Sequence, residues 1–172
     1  MAATSGESHH GKLAENGHSE NHLQSQRLQA RICHMGSQSK LTIVLYSDDS
    51  SVRSTVITAL GSRISPELPE HKVLEFATAP ALRLHLDSKG PVDLFILDGE
   101  AVPEGGIGLA RQLKDEVFNC PPIMVITGRV QDNWLASWSM AEGVAVHPID
   151  PFTFAAQVAE LLRAKTSTST RS

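Results

Sequence analysis

The feature that most constrains the fold is the alternation, from Leu41 onward, of short apolar runs with amphipathic segments. Short runs rich in branched apolar residues are typical of buried strands, and the segments between them have helical periodicity. Successive strand–helix units form a parallel sheet with right-handed crossovers, so we predict a doubly wound α/β fold of five strands and five helices. The predicted strands are 41–47, 72–76, 92–98, 122–127 and 143–147, and the predicted helices are 51–61, 79–88, 106–118, 132–141 and 151–164.

Composition divides the chain into three parts. Residues 1–40 are rich in Ser, Gly, Asn, Gln and His, which predicts a flexible tail that orders only against a partner. Residues 41–164 are expected to form one domain, because 172 residues with 41% hydrophobic side chains suffice for a single full core. Residues 165–172 are expected to be a C-terminal tail. Either Met1 or Met35 can serve as the translation start.

Charge, apolar run length and cysteine usage argue against several function classes. Residues 41–163 contain 9 basic and 16 acidic side chains, so we expect no DNA binding. No apolar run approaches the roughly 18 residues that a membrane helix needs, so we expect a cytoplasmic protein without direct membrane insertion. Cys33 and Cys120 lack the spacing of a zinc site, and we expect both to be free thiols.

Polar side chains follow four of the five predicted strands. Asp48 follows the first strand, Asp98 ends the third, Thr127 ends the fourth, and His147 with Pro148 closes the fifth. Because the carboxyl ends of parallel strands share one crevice, we expect these side chains to converge. Acids in such a crevice can bind a cation or a phosphoryl group. The alternative interpretation of Asp98 is a residue that caps the turn after its strand.

On these four positions, residues 41–164 resemble the receiver domains of bacterial two-component response regulators. The resemblance implies a flavodoxin-like sheet with strand order 2-1-3-4-5 and a signalling role rather than enzymatic turnover. In that family a strand-end aspartate attacks a phosphoryl donor while a cation and fixed dipoles offset the charge on the oxygens. The resemblance assigns the phosphoacceptor to Asp98, the phosphoryl contacts to Thr127 and His147, and a weakly bound Mg²⁺ to Asp48, Asp98 and Glu100.

The chain departs from the family pattern at three positions. Aligning Arg53 with a basic residue of the family's first helix places Ser47 and Asp48 at its paired acids, so one acid is missing. His147 replaces a lysine, and an imidazole carries less charge than an ammonium group at neutral pH. Val144 replaces an aromatic residue that reports phosphorylation by swinging inward. We therefore expect the fold to be retained and the switch to be weakened.

Two further segments bear on the site. In a register shifted by one residue, Asp49 would supply the missing acid and partly restore Mg²⁺ binding. The glycines of 105–108 lack the spacing of a phosphate-binding loop, so we interpret them as flexible access beside Asp98. The missing fingerprint also disfavours a redox or nucleotide-binding module of the same fold.

These residues favour an atypical stand-alone receiver that acts through protein partners. Trp134 and Trp138, the two tryptophans of the chain, share one face of the fourth predicted helix and are a candidate partner contact. The chain is similar to orphan receiver-like proteins with His-Pro in place of Lys-Pro that are associated with respiratory NADH:quinone oxidoreductase, complex I. That likeness implies complex I as a partner and a peripheral location at the inner membrane. The main alternative is a phospho-competent single-domain response regulator, in which a histidine kinase or small donor phosphorylates Asp98.

Overall fold

The computed structural model describes Met1, residues 40–88 and residues 90–169. Residues 39–172 form one compact unit of the chain, and the description below concerns its described residues. Nearly all of the expected flexible tail, together with Cys33 and Met35, lies outside the described residues.

Five parallel strands form one sheet in the predicted order 2-1-3-4-5. Every residue of the third and fourth strands is buried, because helices cover both faces of the sheet. This arrangement confirms the doubly wound, flavodoxin-like fold. The strands are β1 (Leu41–Tyr46), β2 (His71–Phe76), β3 (Leu94–Asp98), β4 (Ile123–Thr127) and β5 (Gly143–Val146).

Five α-helices connect and follow the strands, as the sequence predicts. At the start of the last helix, the Asp150 carboxylate accepts a hydrogen bond from the backbone N–H of Thr153 at 2.8 Å. Among the described residues, no helix has both the length and the apolar character needed to cross a bilayer. The helices are α1 (Ser50–Leu60), α2 (Ala79–Asp87), α3 (Gly106–Glu116), α4 (Asn133–Trp138) and α5 (Pro151–Ser169).

Two helices end three or more residues away from the predicted position. α4 ends at Trp138 rather than near 141, because Met140 adopts a positive φ of 62° and the N–H of Ala141 bonds back to the carbonyl of Ala136. A short 3₁₀ turn, Val130–Asp132, precedes α4. The predicted end of α5 at 164 is wrong, since the helix continues through Ser169. The assignment of residues 165–172 as a C-terminal tail stays a prediction.

Two apolar clusters fix the sheet between its helices. Ile43 and Leu45 of β1 face a cluster that includes α1 and α5, whereas Val44 and Tyr46 face a cluster that includes α2 and α3. The alternation follows from the two-residue period of a strand. With both faces buried, the carboxyl ends of the strands remain as one polar edge.

Candidate functional site

The strand register places the predicted site residues at one edge of the sheet. β1 pairs with β3, β3 with β4, and β4 with β5, all in parallel. Ser47 and Asp48 therefore follow β1 beside Asp98, which ends β3. Thr127 ends β4, and the N–H of His147 donates to the carbonyl of Thr127 at 2.9 Å. All of them lie at the carboxyl ends of their strands.

Asp98 is buried, with only 2% of its surface exposed, and both of its carboxylate oxygens accept hydrogen bonds. Oδ2 accepts from the hydroxyl of Ser47 at 2.7 Å, and Oδ1 accepts from the N–H of Glu100 at 3.0 Å. The second bond is the turn-capping contact that sequence analysis raised as an alternative role. These two protein donors stabilise the buried carboxylate.

The loop between β1 and α1 holds Ser47 against Asp98. The guanidinium of Arg53 donates to the carbonyl of Ser47 at 2.7 Å and to that of Asp48 at 3.2 Å, and it also pairs with Glu75 at 3.1 Å. Arg53 therefore binds the backbone of the loop that contains Ser47 and Asp48. Ser47 contacts Asp98, and the assignment of Ser47 and Asp48 to the paired-acid positions of the family stays a prediction.

Asp49 has a different role from the one that a shifted register would give it. Its carboxylate caps α1 by accepting from the N–H of Ser51 at 2.7 Å. Hydrogen bonds from Ser51 hold the pKa of the Asp49 carboxyl below its ordinary value. The chain adopts the register in which Ser47, not Asp49, contacts Asp98.

The remaining acids of the site bind loop backbone. The carboxylate of Asp48, an exposed residue, accepts from the N–H of Val102 at 3.2 Å. Glu100, which follows β3, accepts from the N–H of Gly128 at 3.3 Å. These two acids link the loops that follow β1, β3 and β4.

Carboxylate oxygens suit Mg²⁺ in kind, but those of Asp48, Asp98 and Glu100 already accept hydrogen bonds from protein donors. The hydroxyl of Ser47 directs its proton at Asp98, and the carboxylate of Glu100 is bonded to Gly128. Across residues 40–88 and 90–169, no group of three or more His, Cys, Asp or Glu is placed to hold a metal ion. Weak Mg²⁺ binding by Asp48, Asp98 and Glu100 stays a prediction, and the residues present do not fit a full ligand set.

Thr127 ends β4 as a fully buried hydroxyl without a short hydrogen bond. Its Oγ1 lies 3.4 Å from the carbonyl oxygens of both Arg129 and Ala145. His147 is half-buried and is joined to Pro148 by a cis peptide bond. Their assignment as phosphoryl contacts stays a prediction.

Sequence analysis missed a network around Glu104, in the loop after β3. The buried hydroxyl of Tyr46 donates to the carbonyl of Glu104 at 2.6 Å, while the Glu104 carboxylate pairs with Arg83 of α2. Arg83 also donates to Gln112 of α3 at 2.6 Å. Burial, and then the negative charges of Glu104, Asp48 and Asp98, raise the pKa of Tyr46. The one indication of this network in the sequence is Tyr46 itself, a single tyrosine in an apolar strand.

Gly106, the first residue of α3, serves close packing rather than flexible access. A Cβ on Gly106 would lie 2.7 Å from the carbonyl carbon of Asp98 and even closer to its oxygen. The first turn of α3 can therefore rest on the backbone of Asp98 only because residue 106 has no side chain. This contact corrects the interpretation drawn from the sequence.

The predicted partner contact is exposed on α4. Trp134 is 64% exposed and Trp138 is 53% exposed, one helical turn apart. Met140, just beyond the helix, is 51% exposed. The structure thus describes an apolar surface, which we call the tryptophan face (Trp134, Trp138 and Met140). Its binding role stays a prediction.

Comparison with known proteins assigns the family. No family model matches the chain. Two proteins of Mycobacterium tuberculosis, from strains CDC 1551 / Oshkosh and H37Rv, are each described as an uncharacterized response regulatory protein. Each is 51% identical over 128 residues, which cover 74% of this chain and 96% of the relative. The chain belongs to the response regulator family, as a receiver.

Solved structures agree with this receiver in fold. The signal receiver domain of a putative LuxO repressor protein from Vibrio parahaemolyticus is 18% identical, with a TM-score of 0.62 over 78% of this chain and 99% of that domain. The Thermotoga maritima response regulator DrrB, an OmpR/PhoB homologue, is 16% identical, with a TM-score of 0.60 over 74% of this chain and 54% of DrrB. At these identities the likeness establishes the fold alone.

Proposed function

We propose that this receiver acts by docking to a protein partner, with Asp98 held in one state rather than cycling as a strong switch. The observation that carries the proposal is the tryptophan face, on which both rings are more than half exposed. Large aromatic side chains are the anchors that contribute most to protein interfaces when they are desolvated. Two of them on one turn of a short helix suit a partner surface better than they suit water.

The composition of the site favours docking over switching. Asp98 is buried and both its oxygens are bonded to protein donors. Ser47 stands in place of an acid, and His147 in place of a lysine. Val144 provides no aromatic ring to move inward. Each change reduces the amount by which phosphorylation could alter the affinity of the receiver for a partner.

The proposed partner is respiratory NADH:quinone oxidoreductase, on the likeness to orphan receivers with His-Pro in place of Lys-Pro. The receiver would be a cytoplasmic protein held at the inner membrane by that complex, without DNA binding and without enzymatic turnover. Its acidic balance, 16 acidic against 9 basic side chains over 41–163, favours a basic surface on the partner.

Binding of the purified receiver to detergent-solubilised complex I tests this proposal. We expect the double substitution Trp134→Ala and Trp138→Ala to weaken binding at least about tenfold, because an anchor residue contributes on the order of 1–2 kcal/mol. Phe118→Ala removes a ring that is 90% exposed after α3, and it is the matched control. No binding by the wild type, or equal binding by both variants, would contradict the proposal.

A second candidate function is a phospho-competent response regulator, in which Asp98 accepts phosphate. The observation in its favour is the hydroxyl of Thr127, which has only long contacts of 3.4 Å at the end of the strand beside Asp98. Such a hydroxyl can turn toward a phosphoryl oxygen at little cost. Incubation with acetyl phosphate and Mg²⁺, followed by intact-protein mass spectrometry, should then show a phosphoryl adduct that Asp98→Asn abolishes.

A further inference from the structure

We infer that Ser47 takes the place of a divalent cation beside Asp98, as a positioning residue that holds the carboxylate by a hydrogen bond. The inference concerns the site of the proposed function, whose weak switching it explains, but it requires no partner. It starts from the mismatch between the residues present and a magnesium ligand set.

The hydrogen bond between Ser47 and Asp98 is short and buried. The two oxygens are 2.7 Å apart, and the residues are 0% and 2% exposed. A hydroxyl has one proton to donate. The Ser47 oxygen also accepts from the N–H of Asp49 at 3.2 Å, and its other acceptor, the Asp49 carbonyl, is more distant at 3.3 Å. The proton is therefore directed at Asp98.

The backbone of Ser47 is fixed on both sides. Its N–H donates to the carbonyl of Phe76 in β2 at 3.2 Å, and its own carbonyl accepts from Arg53 at 2.7 Å. The hydroxyl is thus held in place by the fold, so that Asp98 gains a donor with little loss of side-chain entropy.

A carboxylate at position 47 would have the opposite effect. Two carboxylates at hydrogen-bond distance repel each other unless a cation or a shared proton lies between them. Serine removes that repulsion and supplies a donor. We therefore expect the wild-type receiver to be fully stable without a divalent cation, and Ser47→Asp to make its stability depend on one.

Thermal unfolding with MgCl₂, compared with NaCl at equal ionic strength, tests the inference. Wild type should show the same Tm in both salts and in EDTA. Ser47→Asp should melt lower in EDTA by about 4 °C or more and recover in MgCl₂. Ser54→Asp adds the same charge at an exposed position of α1 and should show no Mg²⁺-specific shift. A Mg²⁺-specific rise in wild type as large as in Ser47→Asp would overturn the inference.

Two further measurements keep the inference testable if Ser47→Asp fails to fold. In contrast to the weak Mg²⁺ binding predicted from the sequence, calorimetric titration of wild type with MgCl₂ should show no binding heat beyond that of Asp98→Asn. Ser47→Ala should lower the Tm in every salt, and Ser47→Thr, which keeps the hydroxyl, should recover part of the loss. A Tm for Ser47→Ala equal to that of wild type would refute the positioning role. Because these measurements involve no partner, they can fail independently of the docking proposal.

Discussion

The ammonium group of Lys165 lies 2.6 Å from the carboxylate of Asp93, across 72 residues of sequence. It also donates to the carbonyl of Val92 at 3.1 Å. The other oxygen of Asp93 accepts from the N–H of Thr42 in β1 at 2.8 Å. The last turns of α5 are therefore joined to the amino ends of β1 and β3.

Lys165→Met should destabilise the domain, because it removes the charge and both hydrogen bonds while keeping the length of the side chain. We expect the free energy of unfolding to fall by about 1 kcal/mol in chemical denaturation. Lys40→Met is the control, since its pair with Glu70 is 61% and 62% exposed and should change nothing measurable. Equal stability of the two variants would show that α5 beyond residue 164 does not support the domain.

Gly106→Ala and Gly108→Ala should have opposite effects, although both lie in α3. The Cβ at 106 would overlap the backbone of Asp98, and overpacking costs about 1–3 kcal/mol. A Cβ at 108 meets nothing within 4 Å, so alanine there should stabilise the helix by about 0.5–1 kcal/mol. Urea unfolding of both variants checks the contrast. A stabilising Gly106→Ala would disprove the close packing of α3 on Asp98.

Arg53→Gln should loosen the loop that holds Ser47. It removes the hydrogen bonds to the carbonyls of Ser47 and Asp48 and the ion pair with Glu75. We expect the free energy of unfolding to fall by about 1–3 kcal/mol. Amide hydrogen exchange at Asp49, whose N–H bonds to the Ser47 hydroxyl, should accelerate. The same substitution at Arg63, which is exposed, should leave that exchange rate unchanged.

Tyr46 should make the domain sensitive to alkaline pH. Its pKa is raised in the folded state, mainly by burial, so the unfolded state loses its proton first as the pH rises above about 10. The stability that Tyr46 contributes is fully present below that pH and is lost as the pH rises through the higher, folded-state pKa. Tyr46→Phe should remove this dependence. Because the chain has one tyrosine, tyrosinate absorbance reports this residue alone, and titration at the ordinary pKa would contradict the expectation.

The edge that carries the site was predictable because its signals are local. β3 ends at Asp98 and β4 at Thr127, as the apolar runs indicate. A strand that is buried on both faces of the sheet is recognisable as a continuous apolar run, and a polar residue ends each of these two runs. The resemblance to the receiver family, aligned at Arg53, also placed Ser47 beside Asp98, the phosphoacceptor candidate.

The contacts made by these residues were not predictable, because they depend on lateral pairing and loop paths. The bond from Tyr46 to Glu104 spans 58 residues, and no spacing in the sequence indicates it. The end of α4 was missed for a local reason, since Met140 adopts a positive φ that glycine or asparagine usually signals. The Thr-Ser run at the end of α5 has low helix propensity, and the anchoring of Lys165 overrides it.

Glu104 is held by two side chains: the hydroxyl of Tyr46 in β1 bonds to its carbonyl, and the guanidinium of Arg83 in α2 bonds to its carboxylate. Arg83 in turn reaches Gln112 on α3. The loop that leaves Asp98 is consequently not a free hinge, because its Glu104 is bonded to α2 and, through Arg83, to α3. A displacement of that loop would also require α2 and α3 to move. We therefore expect this receiver to resist small conformational changes and to present one fixed surface to a partner.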